Sequence, residues 1–147
     1  MSTQENIDVV RGYIDVVFNG GDLGAIDRYW AEDMIWRGGT LGEYQGIDAY
    51  RAYLEATAAA GAFAGMRLDV RQVVAVDDDV VISFTLNATH TGPFLGAPAT
   101  GRQISGVPGI AIFRVADGRI AEATFVEDLL GLAFQLGVTR LPSPPRG

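Results

Sequence analysis

The stretch Val80-Val81-Ile82-Ser83-Phe84-Thr85-Leu86-Asn87-Ala88-Thr89-His90 decides the fold. Val80, Ile82, Phe84, Leu86 and Ala88 alternate with Val81, Ser83, Thr85, Asn87 and Thr89, a period of two that marks a strand with one face on a core. His90 extends the apolar row, so its side chain is expected on the concave, core-facing side. On the N-terminal side, Met66, Leu68 and Val70 alternate with Arg67, Asp69 and Arg71 and run to a turn at Asp77-Asp78-Asp79. Three adjacent acids lack the spacing of a calcium loop and read as a solvated turn. On the C-terminal side, a loop rich in Gly and Pro over 92–101 leads to a long strand over 102–115, bent at Gly106, Pro108 and Gly109. Ala116-Asp117-Gly118 is a hairpin signal, 119–127 returns antiparallel, and a short helix runs through Leu129, Leu130, Leu132 and Phe134 to Gly137.

Before the strands the period is helical. Ser2 and Glu5 stand in capping-box spacing ahead of Ile7, Val10, Ile14, Val17 and Phe18, which predicts a helix over 3–18 stopped by Asn19-Gly20-Gly21. Asp22 reads as the N-cap of a short helix with Leu23, Ile26, Tyr29 and Trp30 on its apolar face. Met34, Ile35 and Trp36 form a brief strand, and Ile47, Tyr50, Tyr53, Leu54 and Thr57 mark a third helix fading at Gly61. Helices first and consecutive strands last predict an α+β chain: a curved antiparallel sheet packed on three N-terminal helices. Residues 1–137 form one domain on this reading, and 138–147 a loosely ordered tail.

With 147 residues, 48% of them apolar, the chain has the size of one domain with a sizeable core. No apolar run reaches the roughly 20 residues that cross a bilayer, and Met1 to Glu5 shows no secretory leader, so a cytoplasmic location is expected. A formal net charge of −7 argues against nucleic acid and membrane surfaces as partners. One His and no Cys argue against metal sites, and no cofactor is expected. All eleven basic residues are Arg, so no lysine is present to form a Schiff base.

The segment His90-Thr91-Gly92-Pro93-Phe94-Leu95-Gly96-Ala97-Pro98-Ala99-Thr100-Gly101-Arg102, followed by Phe113-Arg114, Asp117-Gly118-Arg119-Ile120-Ala121-Glu122, Asp128 and Gln135-Leu136-Gly137, resembles the SnoaL-like polyketide cyclase family. That family sits in the nuclear-transport-factor-2-like superfamily with ketosteroid isomerase and limonene epoxide hydrolase. Asn19 and the Trp30-Ala31-Glu32-Asp33 turn fit the same pattern. The resemblance implies a cone with an apolar pocket between helices and concave sheet, and a homodimer through the sheet's outer face. It also implies ring closure of an aromatic polyketide by an intramolecular aldol reaction, with a carboxylate base and no metal. The chain departs from the pattern where the cyclase Asp is expected, because that position falls on Phe125. Threaded on the isomerase, the base position falls near Gly38 and the acidic oxyanion donor near Ala111.

Several residues remain as candidates, each with a plain structural role beside the functional one. His90 suits acid-base work, or anchors the 92–101 loop. Asp128 faces the pocket, or caps the amides of Leu130 and Gly131. Glu127 shares a row with Ala121, Ala123 and Phe125, which aims it inward, where an apolar cup raises its pKa. Ala121 and Ala123 leave room for a guest or pack against a helix; Trp30, Trp36, Tyr50, Phe84, Phe113 and Phe125 wall a pocket or fill a core. Asp33 and Arg37 form a polar pair at the rim or on the surface.

The function expected from all this is a cofactor-independent enzyme of aromatic, anthracycline-like polyketide biosynthesis acting on a polycyclic aromatic substrate. Aldol closure with His90, Glu127 or Asp128 as base is one reaction; a tailoring step such as hydroxylation is the other. Phe125 inclines the reading toward tailoring, which would draw on an electron-rich substrate or a partner reductase. A non-catalytic small-molecule binding or assembly module is the alternative from another class.

Overall fold

The computed structural model describes residues 2–138 and 140, so most of the 138–147 tail lies outside the described residues. Helix α1 spans Thr3–Gly12 and starts with the expected capping box: the Glu5 amide donates to Ser2 Oγ, and the Ser2 amide to Glu5 Oε2, both at 3.1 Å. It continues, wider, as a π-helical segment over Tyr13–Asn19, a geometry frequent at functional sites. Asn19 ends it by imitating a strand. Its side chain donates to the Leu68 carbonyl at 2.9 Å and accepts from the Leu68 amide at 2.8 Å, pinning the helix to the sheet.

A 3-10 helix, Leu23–Arg28, follows Asp22, which makes no side-chain capping bond although its position suggests one. Trp30 belongs to strand β1, Trp30–Arg37, not to the preceding helix, because Ile120 donates its amide to the Tyr29 carbonyl at 2.7 Å and draws the chain into the sheet. Strand β2, Glu43–Gln45, pairs with β1 and is too short to leave a periodic signal. Helix α2, Ile47–Ala60, ends at Gly61, whose φ of 63° needs a residue without a Cβ. Strands β3 (Phe63–Val76), β4 (Asp79–His90), β5 (Gln103–Ala116) and β6 (Arg119–Glu127) then form a meander, and helix α3 spans Leu129–Gln135.

The sheet order is β2-β1-β6-β5-β4-β3. It is not wholly antiparallel: α2 carries the chain from β2 to the far edge, so the meander brings β6 back beside β1 in the same direction. Register shifts interrupt the β1–β6, β3–β4, β4–β5 and β5–β6 pairings, and such bulges bend strands and curve the sheet around the helices. The sheet stays open, with β2 and β3 as its edges. On β5, Ile104, Val107, Ala111, Phe113 and Val115 point into the concave side while Ile110 and Ile112 point out. Trp30, Tyr13, Tyr50, Phe84 and Phe113 are fully buried there, each large apolar side chain stabilising the fold by about 1.5–3 kcal/mol.

Candidate active site

The helices do not fill the cone. A cavity of about 160 Å³ remains, walled by Trp36 from β1, Tyr50, Tyr53 and Leu54 from α2, Tyr13 and Phe18 from the first helix, and Phe125 from β6. Phe63, Met66 and Phe94 close its other end. A second hollow of about 240 Å³ shares Tyr13, Phe18, Leu54, Phe63 and Met66 with it and extends to Leu23, Ala58 and Ala62.

Glu127 is the charged side chain on this wall, alone among the described residues. Its place depends on Gly109, the neighbour across the β5–β6 pair, since a Cβ there would stand 2.4 Å from the Phe84 ring and 3.2 Å from Glu127 Cγ. Burial among aromatic groups raises the Glu127 carboxyl above its ordinary value of 4.5, and among the described residues no ion pair offsets that cost. A carboxylate of this kind accepts a proton more readily than a solvated one.

Hydroxyl groups of Tyr13, Tyr50, Tyr53 and Thr57 add to the polar side chains of the wall, and the first two form a pair. Tyr13 and Tyr50 are buried, come from different helices, and place their hydroxyl oxygens 2.7 Å apart on the cavity wall. Burial raises both phenols well above their ordinary range, so they stay protonated. Tyr50 is expected from the sequence as an apolar wall, and Tyr13 is not among the candidates the sequence offers. The available signal is a phenol on the apolar row with Val10 and Val17, a polar tip that a buried row has to satisfy.

The remaining candidates lie elsewhere. His90 is fully buried on the concave row, but Phe63, its ring tilted against the imidazole at 5.6 Å, holds the cavity wall in its place. Its Nδ1 lies 2.8 Å from Thr100 Oγ1 and accepts the Thr100 amide at 3.2 Å, which anchors the loop after β4. Asp128 is outside the cavity and caps α3, its Oδ1 accepting from the Gly131 amide at 2.8 Å. Phe84 and Phe113 belong to the packed core rather than to the cavity wall. Ala123 pairs with Trp36 and Phe113 and is filled against by both rings, so its small size serves packing. Ala121 falls in the bulge between the Arg114–Glu122 and Val115–Ile120 pairs, which removes it from the inward row. Arg37 points to the outer face, 3.7 Å from both Glu43 and Glu122, and forms no pair with Asp33.

The isomerase positions are closed to chemistry. A Cβ on Gly38 would stand 2.1 Å from the Trp36 ring, and Ala111 is buried beneath the aromatic core. Among the described residues no three carboxylate or imidazole groups converge as a metal site requires.

Residues 7–136 match the model of the SnoaL-like polyketide cyclase family. The chain belongs to that family. No curated protein matches the sequence. Three proteins of known structure are similar over nearly the whole chain. IdmH from Streptomyces antibioticus, a proposed polyketide cyclase, is 28% identical with a TM-score of 0.78, over 90% of this chain and 99% of its own. TsrD from Streptomyces laurentii is 28% identical with a TM-score of 0.79, over 94% and 98%. AclR from Streptomyces galilaeus, a proposed hydroxylase, is 25% identical with a TM-score of 0.78, over 95% and 100%. The SnoaL-like cone, a curved open sheet with helices on its concave side, is the fold of this protein. No helix among the described residues is long and apolar enough to cross a membrane.

Proposed function

We propose that this SnoaL-like protein is an acid-base enzyme acting on an aromatic polyketide, with Glu127 as the base and intramolecular aldol closure as the outcome. One observation carries the reading: an apolar cavity with a single carboxylate among the described residues on its wall, held there by burial at a raised pKa. Glu127 stands one step along the inward row from Phe125, so the row that lacks the family's Asp still presents a carboxylate. Glu127 takes the proton from a carbon next to a carbonyl. The resulting carbanion adds to a second carbonyl of the same molecule, a carbon–carbon bond forms, and the proton returns to the new alkoxide. Desolvation makes the base stronger, the flat walls of Trp36 and Phe125 hold the rings, and no external redox group is needed for this step.

The likeness to AclR favours a second reading, hydroxylation of a polycyclic substrate as a tailoring step in antibiotic biosynthesis. The same proton removal gives an electron-rich anion for dioxygen, with a partner reductase supplying the two electrons that turn the second oxygen atom into water. Turnover of tricyclic and tetracyclic aromatic ketones, with and without oxygen and a reductase, separates the two. In both, Glu127→Gln loses the rate while His90→Ala and Asp128→Asn keep it. Tight binding with no turnover under any of these conditions would instead make the protein a binding module.

The apolar outer face, with Ile110, Ile112 and Val126 about half exposed or more, supports a homodimer through that face. Sedimentation of Ile112→Asp is expected to show a monomer, and an unchanged sedimentation coefficient would refute the interface.

A further inference from the structure

The Tyr13–Tyr50 pair has one proton too many. Two phenols carry two O–H donors, and the single 2.7 Å contact between them uses one. Neither hydroxyl has another hydrogen-bond partner among the described residues, and the surrounding rings of Trp30, Trp36, Phe113 and Phe125 offer no acceptor of ordinary strength. A donor left unpaired in such surroundings is costly, so the pair is built for an acceptor that the protein chain does not provide. Both oxygens sit on the wall of the same cavity as Glu127.

From this geometry we propose that the Tyr13–Tyr50 pair is the receptor for a carbonyl oxygen, so that the protein takes an aromatic ketone oxygen-first into the deep end of the cone. One phenol donates to the other, which is polarised by that bond and donates to the ligand. The arrangement stabilises an oxygen whose negative charge grows, as on the way from ketone to enolate. Burial keeps both phenols protonated, so the hydroxyl not used within the pair presents a donor to the ligand. The cavity of about 160 Å³ is of the size that holds a single ring, which leaves the rest of a fused system to the adjoining hollow by Phe18, Leu23 and Ala58. The inference rests on the proposed proton abstraction only in identifying the bound oxygen with that of the ketone being activated.

The test uses α-tetralone, a bicyclic aromatic ketone, against tetralin, which has the same skeleton and no oxygen. Tetralin is the more apolar, so burial alone favours it. The native protein is expected to bind tetralone about tenfold more tightly. Tyr13→Phe and Tyr50→Phe are each expected to reduce that preference, and the double variant to erase it, while tetralin affinity stays within about twofold; the carbonyl stretch of bound tetralone shifts upward as the hydroxyls are removed. Glu127→Gln keeps the preference, because it leaves in place both hydroxyls proposed to receive the carbonyl oxygen. Loss of turnover in Glu127→Gln is therefore a separate result, and either proposal can fail alone. Equal affinity for the two probes in the native protein, or a carbonyl stretch indifferent to the hydroxyls, would reduce the pair to a clasp between two helices. If one variant does not fold, the native preference and the other variant still decide.

Discussion

Glu127 and His90 both close inward rows of the same curved sheet, and the difference between them shows what makes a titratable group available. Their rows have the same alternation; His90 is fully buried and Glu127 half-buried. His90 meets a hydroxyl and an amide from Thr100 through Nδ1 and lies behind Phe63, which leaves its buried Nε2 without a partner among the described residues and keeps the ring off the cavity wall. Glu127 meets Gly109, whose missing side chain leaves room, and no ion pair among the described residues answers its charge. Direction along a row places a residue on the concave side; what lies above it decides between anchor and base.

The largest effect is expected at Glu127. Glu127→Gln should lower kcat by about 10²–10⁴, the range of a positioned base. The native rate should rise with pH along a limb centred above 4.5, since the base works only when deprotonated and burial raises its pKa. Stability moves the opposite way. The unfolded chain releases this proton at lower pH than the folded one, so the folded state loses stability as pH rises from 4.5 through the raised value, and the loss levels off above it. Thermal melts should show Glu127→Gln stabilised relative to the native protein at pH 7 and not at pH 4. A flat pH profile for the native enzyme would remove Glu127 from the chemistry.

Gly109→Ala comes next. The added methyl meets the Phe84 ring at 2.4 Å and Glu127 Cγ at 3.2 Å, so one of them has to move. Overpacking of this kind costs about 1–3 kcal/mol, and displacement of the base lowers kcat by about tenfold to a hundredfold. A chemical melt reads the first effect and steady-state turnover the second. His90→Ala inverts that balance: it should cost about 1–3 kcal/mol through the lost loop anchor while kcat changes only a few-fold and the pH limb stays in place. A loss of rate matching that of Glu127→Gln would erase the distinction between the two ends.

Much of this contrast is legible in the sequence. The alternation over 80–90 and the hairpin at Asp117-Gly118 are local signals, and the sheet realises both; Asp117 and Gly118 take φ values of 51° and 77°. The inward aim of Glu127 follows from parity with Phe125 alone. What stayed hidden depends on partners distant in sequence. Trp30 leaves its helical pattern because β6 pairs beside it, and Ala121 drops out of its row because a bulge takes up one residue. Hydrophobic period marks a face and not the tip of a side chain, so Tyr13 looks like any core residue until Tyr50 stands 2.7 Å away. The empty space itself is a sum over many side chains and leaves no local trace.

Asp128, adjacent to Glu127 in sequence, gives the smallest and sharpest test of the contrast. The two carboxylates differ by one residue, which at the end of a strand is the difference between facing the cavity and facing out. Asp128 is exposed and its Oδ1 is engaged by the Gly131 amide, which satisfies a free donor in the first turn of α3. Gly131 suits this cap because a Cβ there would stand 2.3 Å from Asp128 Oδ2. Asp128→Ala should therefore cost about 1 kcal/mol of stability, measured by urea melts, with kcat and its pH limb unchanged. Asp128→Asn should recover most of that stability, since an amide oxygen also caps a helix. A rate that fell in both variants while the fold held would mean that the carboxylate reaches the substrate, and that turning one residue along the strand does not separate cap from base.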